Sequence, residues 1–212
     1  MDLYNFFNSS AAYRVRIAMA LKGIPWNHIG VNLRAGEQHG PQYCGLNPNR
    51  LVPTLHDGPH MITQSLAIID HLDREWPEPR MVPAEGPLRT RVLEIALTIA
   101  CDIHPLNNMR IQKYLAGPLG VDDARKSEWV AHWLTAGFSA LERWLPEDGS
   151  WCVGDNPTLA DCCLVPQVAN ALRASFSLEP FPRVRRTYEH CMRHEAFRVS
   201  APSAQPDYVA AH

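Results

Sequence analysis

A proline-rich stretch divides this sequence into two parts of different character. Residues 77–87 read PEPRMVPAEGP and contain four prolines and one glycine. Proline lacks an N–H and restricts the residue before it, so neither a helix nor a strand is expected to continue through this stretch. Short strand patterns precede it and long helical patterns follow it. The sequence therefore predicts an α/β domain at 1–80 and an all-helical domain at 87–212.

The first predicted domain begins with a β-α-β unit. The aromatic run LYNFF at 3–7 is typical of a strand, and residues 26–33 alternate like a second one. Between them, apolar residues recur at helical spacing over 11–22, and Gly23 follows as a C-terminal cap. Two short strands joined by a turn and a final helix complete the domain, at 52–55, 60–63 and 64–76. The stretch 28–47 gives no clear pattern beyond its first residues.

The second predicted domain consists of long amphipathic patterns. They predict helices at about 88–115, 122–145, 159–175 and 181–194. In the sequence NPTLAD, Thr158 is expected to cap the third of these helices and Asp161 to reach back to the N–H of the cap. The tail at 200–212 is predicted to be ordered only in part.

Composition excludes several classes of function. The formal net charge of -2 gives no basic field for nucleic acid. The sequence has no apolar run of about 20 residues to span a membrane, and its first residues lack the pattern of a signal peptide, so we expect a cytoplasmic protein. The six cysteines form no C-x-x-C pair and the histidines no metal-binding spacing, which predicts reduced thiols and no metal site.

Two adjacent serines, Ser9 and Ser10, lie where the first strand gives way to a helix. A serine at this position commonly caps the helix. The same helix end also presents free N–H groups and a partial positive charge, which favour an anion and lower the pKa of a nearby thiol. Because no cysteine lies beside these serines in the sequence, such a thiol would belong to a ligand.

Two further junctions have a similar double interpretation. Pro53 follows Val52 at the start of a predicted strand, where a proline marks a sheet edge, a cis peptide or an ordinary turn. Gln64 and Ser65 begin a predicted helix, where they either cap it or bind a carboxylate together with the free N–H groups.

The order of these elements and several longer motifs resemble the zeta-class glutathione transferases over nearly the whole chain. The motifs are SSAAYRVRIAMALKGI, LNPNRLVPTL, QSLAIIDHLD and PTLADCCLVPQVANALR. In addition, CDIHPLNNMRI at 101–111 is similar to the maleylpyruvate and maleylacetoacetate isomerases of that class. The resemblance implies a thioredoxin-like domain followed by a helical one, glutathione as cofactor and a homodimer. It also implies glutathione-dependent cis–trans isomerisation of a maleyl keto acid, a small dicarboxylate, in the degradation of aromatic compounds.

The resemblance also implies roles for individual residues. Ser9 matches the serine that hydrogen-bonds the glutathione thiolate, and Ser10 is its neighbour in the catalytic pair. Glutathione is expected to contact Gln38, Val52, Pro53 in a cis peptide, Gln64, Ser65, Asp102, His104 and Asn108. The substrate is expected to contact His104, Asn108, Arg110 and Arg173, with the two arginines on its carboxylates. Arg14 and Arg16 are expected to form structural pairs within the fold.

Three positions depart from the family pattern. Asn8 stands where relatives tend to have an arginine, Ala11 where they often have a cysteine, and Met109 where some have a second arginine beside Arg110. These departures keep two alternatives open. One is a general glutathione transferase that performs conjugation, dehalogenation or peroxide reduction, and the other is a non-catalytic binding module of the same fold.

Overall fold

The structure, a computed structural model, describes residues 1–209 and contains two compact units. The first unit comprises residues 1–82 together with the C-terminal stretch from Met192, and the second comprises residues 83–191. The division after residue 82 lies inside the proline-rich stretch, where the sequence predicts it. The final three residues of the predicted second domain and tail lie outside the described residues.

The first unit is built on a four-stranded mixed sheet with the strand order β2-β1-β3-β4. Strand β1 (Asp2–Asn5) pairs in parallel with β2 (Asn27–Gly30) and antiparallel with β3 (Thr54–Asp57). Strand β4 (His60–Thr63) closes the hairpin with β3. A β-α-β unit followed by a hairpin is the thioredoxin-like arrangement that the resemblance implies, and all four strands lie where the sequence predicts them.

Three helices accompany this sheet: α1 (Ser10–Leu21), α2 (Pro41–Leu46) and α3 (Ser65–Glu75). Helix α1 is buried on almost every side, including its polar residues Arg14 and Arg16. It ends before Gly23, whose φ of +65° suits a glycine because it has no Cβ. Helix α2 lies in the stretch whose pattern predicted no element.

Residues 192–209 group with the first unit, and we call them the C-terminal segment. The sequence instead predicts that everything from 87 onwards belongs to the helical domain. The difference has a physical cause, because polar groups of α1 bind the backbone of this segment. The Tyr13 hydroxyl donates to the Phe197 carbonyl at 2.8 Å, and Arg16 Nε donates to the Ser200 carbonyl at 3.0 Å. The segment contains α10 (Glu195–Val199) and continues with defined backbone to residue 209.

The regular secondary structure of the second unit, residues 83–191, is entirely helical. Its elements are α4 (Gly86–Leu97), a π-helical segment (Thr98–Ile103), α5 (His104–Asn107), α6 (Met109–Ala116), α7 (Asp123–Trp144), α8 (Leu159–Arg173) and α9 (Pro182–Cys191). No helix in the described part of the chain is long and apolar enough to cross a membrane.

The continuous helix predicted at 88–115 is wrong. The chain leaves the α-helical pattern at the π-helical segment and breaks at Asn108, whose ψ is 163°. Pro105 at the start of α5 has no N–H to donate to the preceding turn. The Asn108 side chain accepts the N–H of Ile111 at 3.2 Å and so caps the new helix α6.

Helix α8 forms the centre of the second unit and begins with the predicted capping box. The fully buried Asp161 carboxylate accepts the N–H groups of Thr158 and Cys152, each at 2.8 Å. Burial raises the pKa of Asp161, and these hydrogen bonds oppose that rise. Asp161 therefore joins the start of α8 to the preceding loop.

Candidate functional site

Ser9 occupies the junction between β1 and α1. Its Oγ accepts the N–H of Ala12 at 3.2 Å, and its own N–H donates to the Phe6 carbonyl at 2.9 Å. The predicted role of Ser9 as helix cap is thus confirmed. Its side chain is half-buried, and the capping bond uses the oxygen as an acceptor, so the hydroxyl proton can be donated to a ligand. Ser10 follows as the first, buried residue of α1.

Arg16 holds the turn that leads to Ser9. The side chain is fully buried, and its Nη1 donates to Asn5 Oδ1 at 3.0 Å while Nη2 donates to the Phe7 carbonyl at 3.1 Å. Burial lowers the pKa of Arg16 to about 10, so the guanidinium remains charged at neutral pH. Arg16 therefore has the structural role that the sequence predicts.

Arg14 makes such a structural bond with only part of its guanidinium. Its side chain is 2 % exposed, and Nη1 donates to Ser65 Oγ at 3.3 Å. Its Nε and Nη2 are also buried, and neither has a hydrogen-bond partner within the described residues. An unsatisfied buried donor costs free energy unless a ligand supplies the acceptor. The sequence predicts only a structural role for Arg14, although its spacing along α1 places it one turn after Ser10.

Ser65 and Gln64 form the start of α3. Gln64 has φ +71° and ψ 117°, a left-handed conformation that costs a residue other than glycine about 1–3 kcal/mol. Its side chain is exposed and makes no capping bond to the helix. The free N–H groups of α3, the Ser65 hydroxyl and the unused donors of Arg14 together form a site suited to a carboxylate.

Val52 and Pro53 lie between α2 and β3, and the peptide bond that joins them is cis. The Val52 side chain is buried in an apolar cluster with Phe6 and Phe7. This cluster packs the loop of Val52 against the turn that precedes Ser9. Within the part of the chain that the structure describes, the N–H and C=O of Val52 form no hydrogen bond, so both remain available to a peptide ligand.

Gln38 lies in a short 3-10 turn at Glu37–His39 and is 8 % exposed. Its Nε2 is 3.1 Å from His39 Nε2, and its buried Oε1 has no partner among residues 1–209. Gln38 is thus a second buried side chain of the first unit with an unused polar atom. The structure gives no direct contact between it and the serine sites.

The remaining predicted residues belong to the second unit. Asp102 is exposed in the π-helical segment, His104 begins α5, Asn108 caps α6, and Arg110 is exposed on α6. Segments of π-helix are frequent at functional sites because they redirect side chains. These four residues lie on three consecutive elements, beginning with this π-helical segment.

Two other residues complete the description of this unit. Arg173 is the exposed last residue of α8, and its charge opposes the burial that raises the pKa of Tyr188. Asn107 was not predicted, although it precedes Asn108. It is 7 % exposed, and neither atom of its side-chain amide has a partner in the described chain.

Comparison with known proteins agrees with this arrangement. Residues 1–74 match the N-terminal domain model of glutathione S-transferases, and residues 132–195 match the C-terminal domain model. The chain is 44% identical over 210 residues to a maleylpyruvate isomerase of a Ralstonia species, covering 98% of this chain and 99% of that one.

Two solved structures are also similar over almost the full length. One is the holo structure of a maleylpyruvate isomerase, a bacterial zeta-class glutathione S-transferase, with a TM-score of 0.95, 43% identity and coverage of 99% of this chain and 100% of that one. The other is a maleylacetoacetate isomerase of Methylobacterium extorquens AM1 with bound malonate and glutathione, with a TM-score of 0.94, 33% identity and coverage of 99% and 100%. The chain therefore belongs to the glutathione S-transferase family, within the zeta class of maleylpyruvate and maleylacetoacetate isomerases.

Proposed function

We propose that this protein catalyses the glutathione-dependent cis–trans isomerisation of a maleyl keto acid. The product is fumarylpyruvate from maleylpyruvate or fumarylacetoacetate from maleylacetoacetate. The observation that supports it most strongly is the 44% identity, over 210 residues, to a maleylpyruvate isomerase. Within the first unit, the buried Arg14 keeps two donors unused beside Ser65, which suits the carboxylate of glutathione.

The unused groups of the first unit fit the parts of glutathione. The γ-glutamyl carboxylate would bind at the start of α3, where Gln64, Ser65 and Arg14 lie. The cysteinyl part would pair with the backbone of Val52, and the glycyl end with Gln38. Bound there, glutathione supplies a thiolate nucleophile that adds to the substrate's cis double bond, allows rotation and leaves again.

Ser9 keeps that thiol ionised. Its hydroxyl donates a hydrogen bond to the sulfur, and a hydrogen bond to the charged form of a thiol lowers its pKa. The N-terminus of α1 contributes a partial positive charge in the same direction. Ser10 supports this turn as the first residue of the helix.

The second unit binds the substrate. Arg110 and Arg173 hold its carboxylates, because a planar guanidinium matches a carboxylate with two hydrogen bonds. His104 and Asn108 are donors for the negative charge that develops on the substrate's carbonyl oxygen. Asp102, in the π-helical segment, is proposed to contact glutathione, as the resemblance implies. Since Met109 replaces a second arginine, this enzyme depends more heavily on Arg110.

The direct test measures the conversion of both maleyl keto acids with and without glutathione, for wild type and Ser9→Ala. Turnover that requires glutathione and falls in the variant supports the proposal. Glutathione binding without isomerisation of either compound would contradict it and favour conjugation, dehalogenation or peroxide reduction at the same site. Failure to bind glutathione at all would favour a binding module.

We also propose a cytoplasmic homodimer that takes a small dicarboxylate and neither nucleic acid nor membrane. Large apolar side chains remain exposed in each unit, among them Met61 and Trp76 in the first and Leu88 and Leu97 in the second. Such side chains are common where protomers meet. Light scattering that gives the mass of a single chain at micromolar concentration would contradict the dimer.

A further inference from the structure

The C-terminal segment reaches the turn that carries Ser9. The carboxylate of Asp207 accepts the N–H of Phe7 through Oδ2 at 3.0 Å. The carbonyl of Phe7 accepts a hydrogen bond from Arg16 Nη2 at 3.1 Å. Both backbone groups of Phe7, two residues before Ser9, are therefore held by side chains, one from α1 and one from the C-terminal segment.

Asp207 also acts on Arg16 through its charge. Burial lowers the pKa of Arg16, whereas the negative charge of the Asp207 carboxylate acts in the opposite direction. The second carboxylate oxygen, Oδ1, lies 3.0 Å from Nε2 of His28 on β2. The neighbouring ring of Tyr208 packs edge-on against Phe7, with ring centroids 5.5 Å apart. Asp207 thus contacts both β2 and the turn before Ser9, and its charge favours the charged form of Arg16.

The segment that presents Asp207 has a fixed conformation. Gln205 is 7 % exposed, and its Nε2 donates to the carbonyls of Val199 and Ala201, each at 3.0 Å. Further upstream, α1 binds the carbonyls of Phe197 and Ser200. On the other side of Asp207, the N–H of Tyr208 donates to the Gln205 carbonyl at 3.1 Å. These bonds fix the backbone that carries Asp207 in the free protein.

We propose that Asp207 is a positioning residue for Ser9. It fixes the N–H of Phe7, so that the turn delivers the Ser9 hydroxyl to one place at the start of α1. Without this acceptor, a buried N–H loses its partner and the turn relaxes. This proposal rests on the proposed function only where it states that Ser9 donates to the glutathione thiolate. The order of the turn is a property of the free protein.

The test compares Asp207→Ala and Asp207→Asn with Glu195→Ala. Glu195 is an exposed acid of the same segment with no hydrogen bond or ion pair to its side chain in the described structure, so it is the matched control. Asparagine keeps one oxygen that can accept from Phe7, while it removes the charge and places an NH2 group in the position of the oxygen near His28. The first readout is amide hydrogen exchange of the full-length, ligand-free protein, measured in peptides from residues 6–13 and from α3 and α8.

For Asp207→Ala we expect exchange in residues 6–13 to accelerate about 10-fold, as for the loss of one buried hydrogen bond, with α8 unchanged. Asp207→Asn is expected to restore most of the protection, and Glu195→Ala to resemble wild type. Equal acceleration in every peptide would mean that Asp207 only stabilises the fold, which would overturn the proposal. Unchanged exchange in residues 6–13 would overturn it as well.

The second readout is the pKa of the thiol of enzyme-bound glutathione, followed by the ultraviolet absorbance of the thiolate without any maleyl compound. We expect this pKa to rise in Asp207→Ala and kcat to fall about 10-fold, with KM for the maleyl substrate little changed, because misplacement of a donor affects the reacting atoms. An unchanged thiol pKa in a variant whose turn exchanges faster would overturn the link to Ser9. Absence of thiolate in the wild-type complex would count against the proposed function, and the exchange result would then still decide whether Asp207 orders the turn.

Discussion

The candidate groups of the first unit and those of the second are built differently. On the glutathione side they are backbone groups and buried side chains at helix ends, such as Ser65 and Arg14, which is 2 % exposed. On the substrate side they are long, exposed side chains such as Arg110 and Arg173. Buried groups are fixed by the fold before a ligand arrives, whereas exposed arginines lose side-chain freedom on binding. The fixed groups suit glutathione, which is always the same molecule, and the mobile arginines suit a substrate to which they can adjust.

The largest effect is expected from Ser9→Ala. Removal of a hydroxyl that stabilises the reacting anion is expected to lower kcat/KM by about 10²- to 10³-fold and to raise the pKa of the bound thiol. The helix loses a cap worth about 1 kcal/mol, so thermal unfolding is measured in parallel. Ser9→Thr keeps both the cap and the donor and is expected to recover most of the activity. Equal losses in Ser9→Ala and Ser10→Ala would remove the special role of Ser9.

Arg14 and Arg16 allow the sharpest comparison within α1. Arg14→Met is expected to raise KM for glutathione about 10- to 100-fold, since a hydrogen-bonded charge on the ligand carboxylate is lost. Its free energy of unfolding is expected to stay constant or rise, because no acid of the described chain forms an ion pair with Arg14.

Arg16→Met is the counterpart. It removes the donors to Asn5, Phe7 and Ser200, and is expected to lower the free energy of unfolding by at least about 3 kcal/mol in urea titrations. If Arg14→Met destabilised the protein as strongly while leaving KM for glutathione unchanged, Arg14 would be a structural residue like Arg16.

A smaller effect is expected on the substrate side. Arg173→Ala and Arg110→Ala are each expected to raise KM for the maleyl keto acid about 10-fold, because one charge-assisted bond to a carboxylate is lost. KM for glutathione should stay constant in both variants. Arg125→Ala, at an exposed position of α7, is the control for a general loss of positive charge. An increase in KM for glutathione alone would assign these arginines to the cofactor.

The smallest effect is expected from Met109→Arg. Met109 is 36% exposed, so an arginine fits there without disturbing the core. An exposed charge pair contributes about 0.2–1 kcal/mol, so KM for the substrate is expected to fall by about 2- to 5-fold. The effect should weaken at high salt, because exposed charges are screened. A higher KM at low salt would show that the position does not face the substrate's carboxylates.

Much of the fold follows from short-range patterns. The aromatic strand β1, the caps of α1 and α8 and the proline-rich division after residue 82 all depend on residues close together in sequence. The interruption at Asn108 was missed, because the apolar periodicity runs on across it. The break depends on the extended backbone of Asn108, which places its side chain where it caps α6.

By itself, the sequence determined the division in the proline-rich stretch, the four strands with α1 and α3, and the serine that caps α1, because periodicity, proline and capping are local properties. Only the tertiary structure decided which groups the two arginines of α1 bind, although they are just two positions apart in sequence. Arg16 meets carbonyls of the turn and the C-terminal segment, whereas Arg14 meets Ser65 and keeps two donors unused. The tertiary structure also brought Asp207 to Phe7 across 200 residues. Such contacts depend on which distant backbone lies beside a buried side chain, and no local pattern records that.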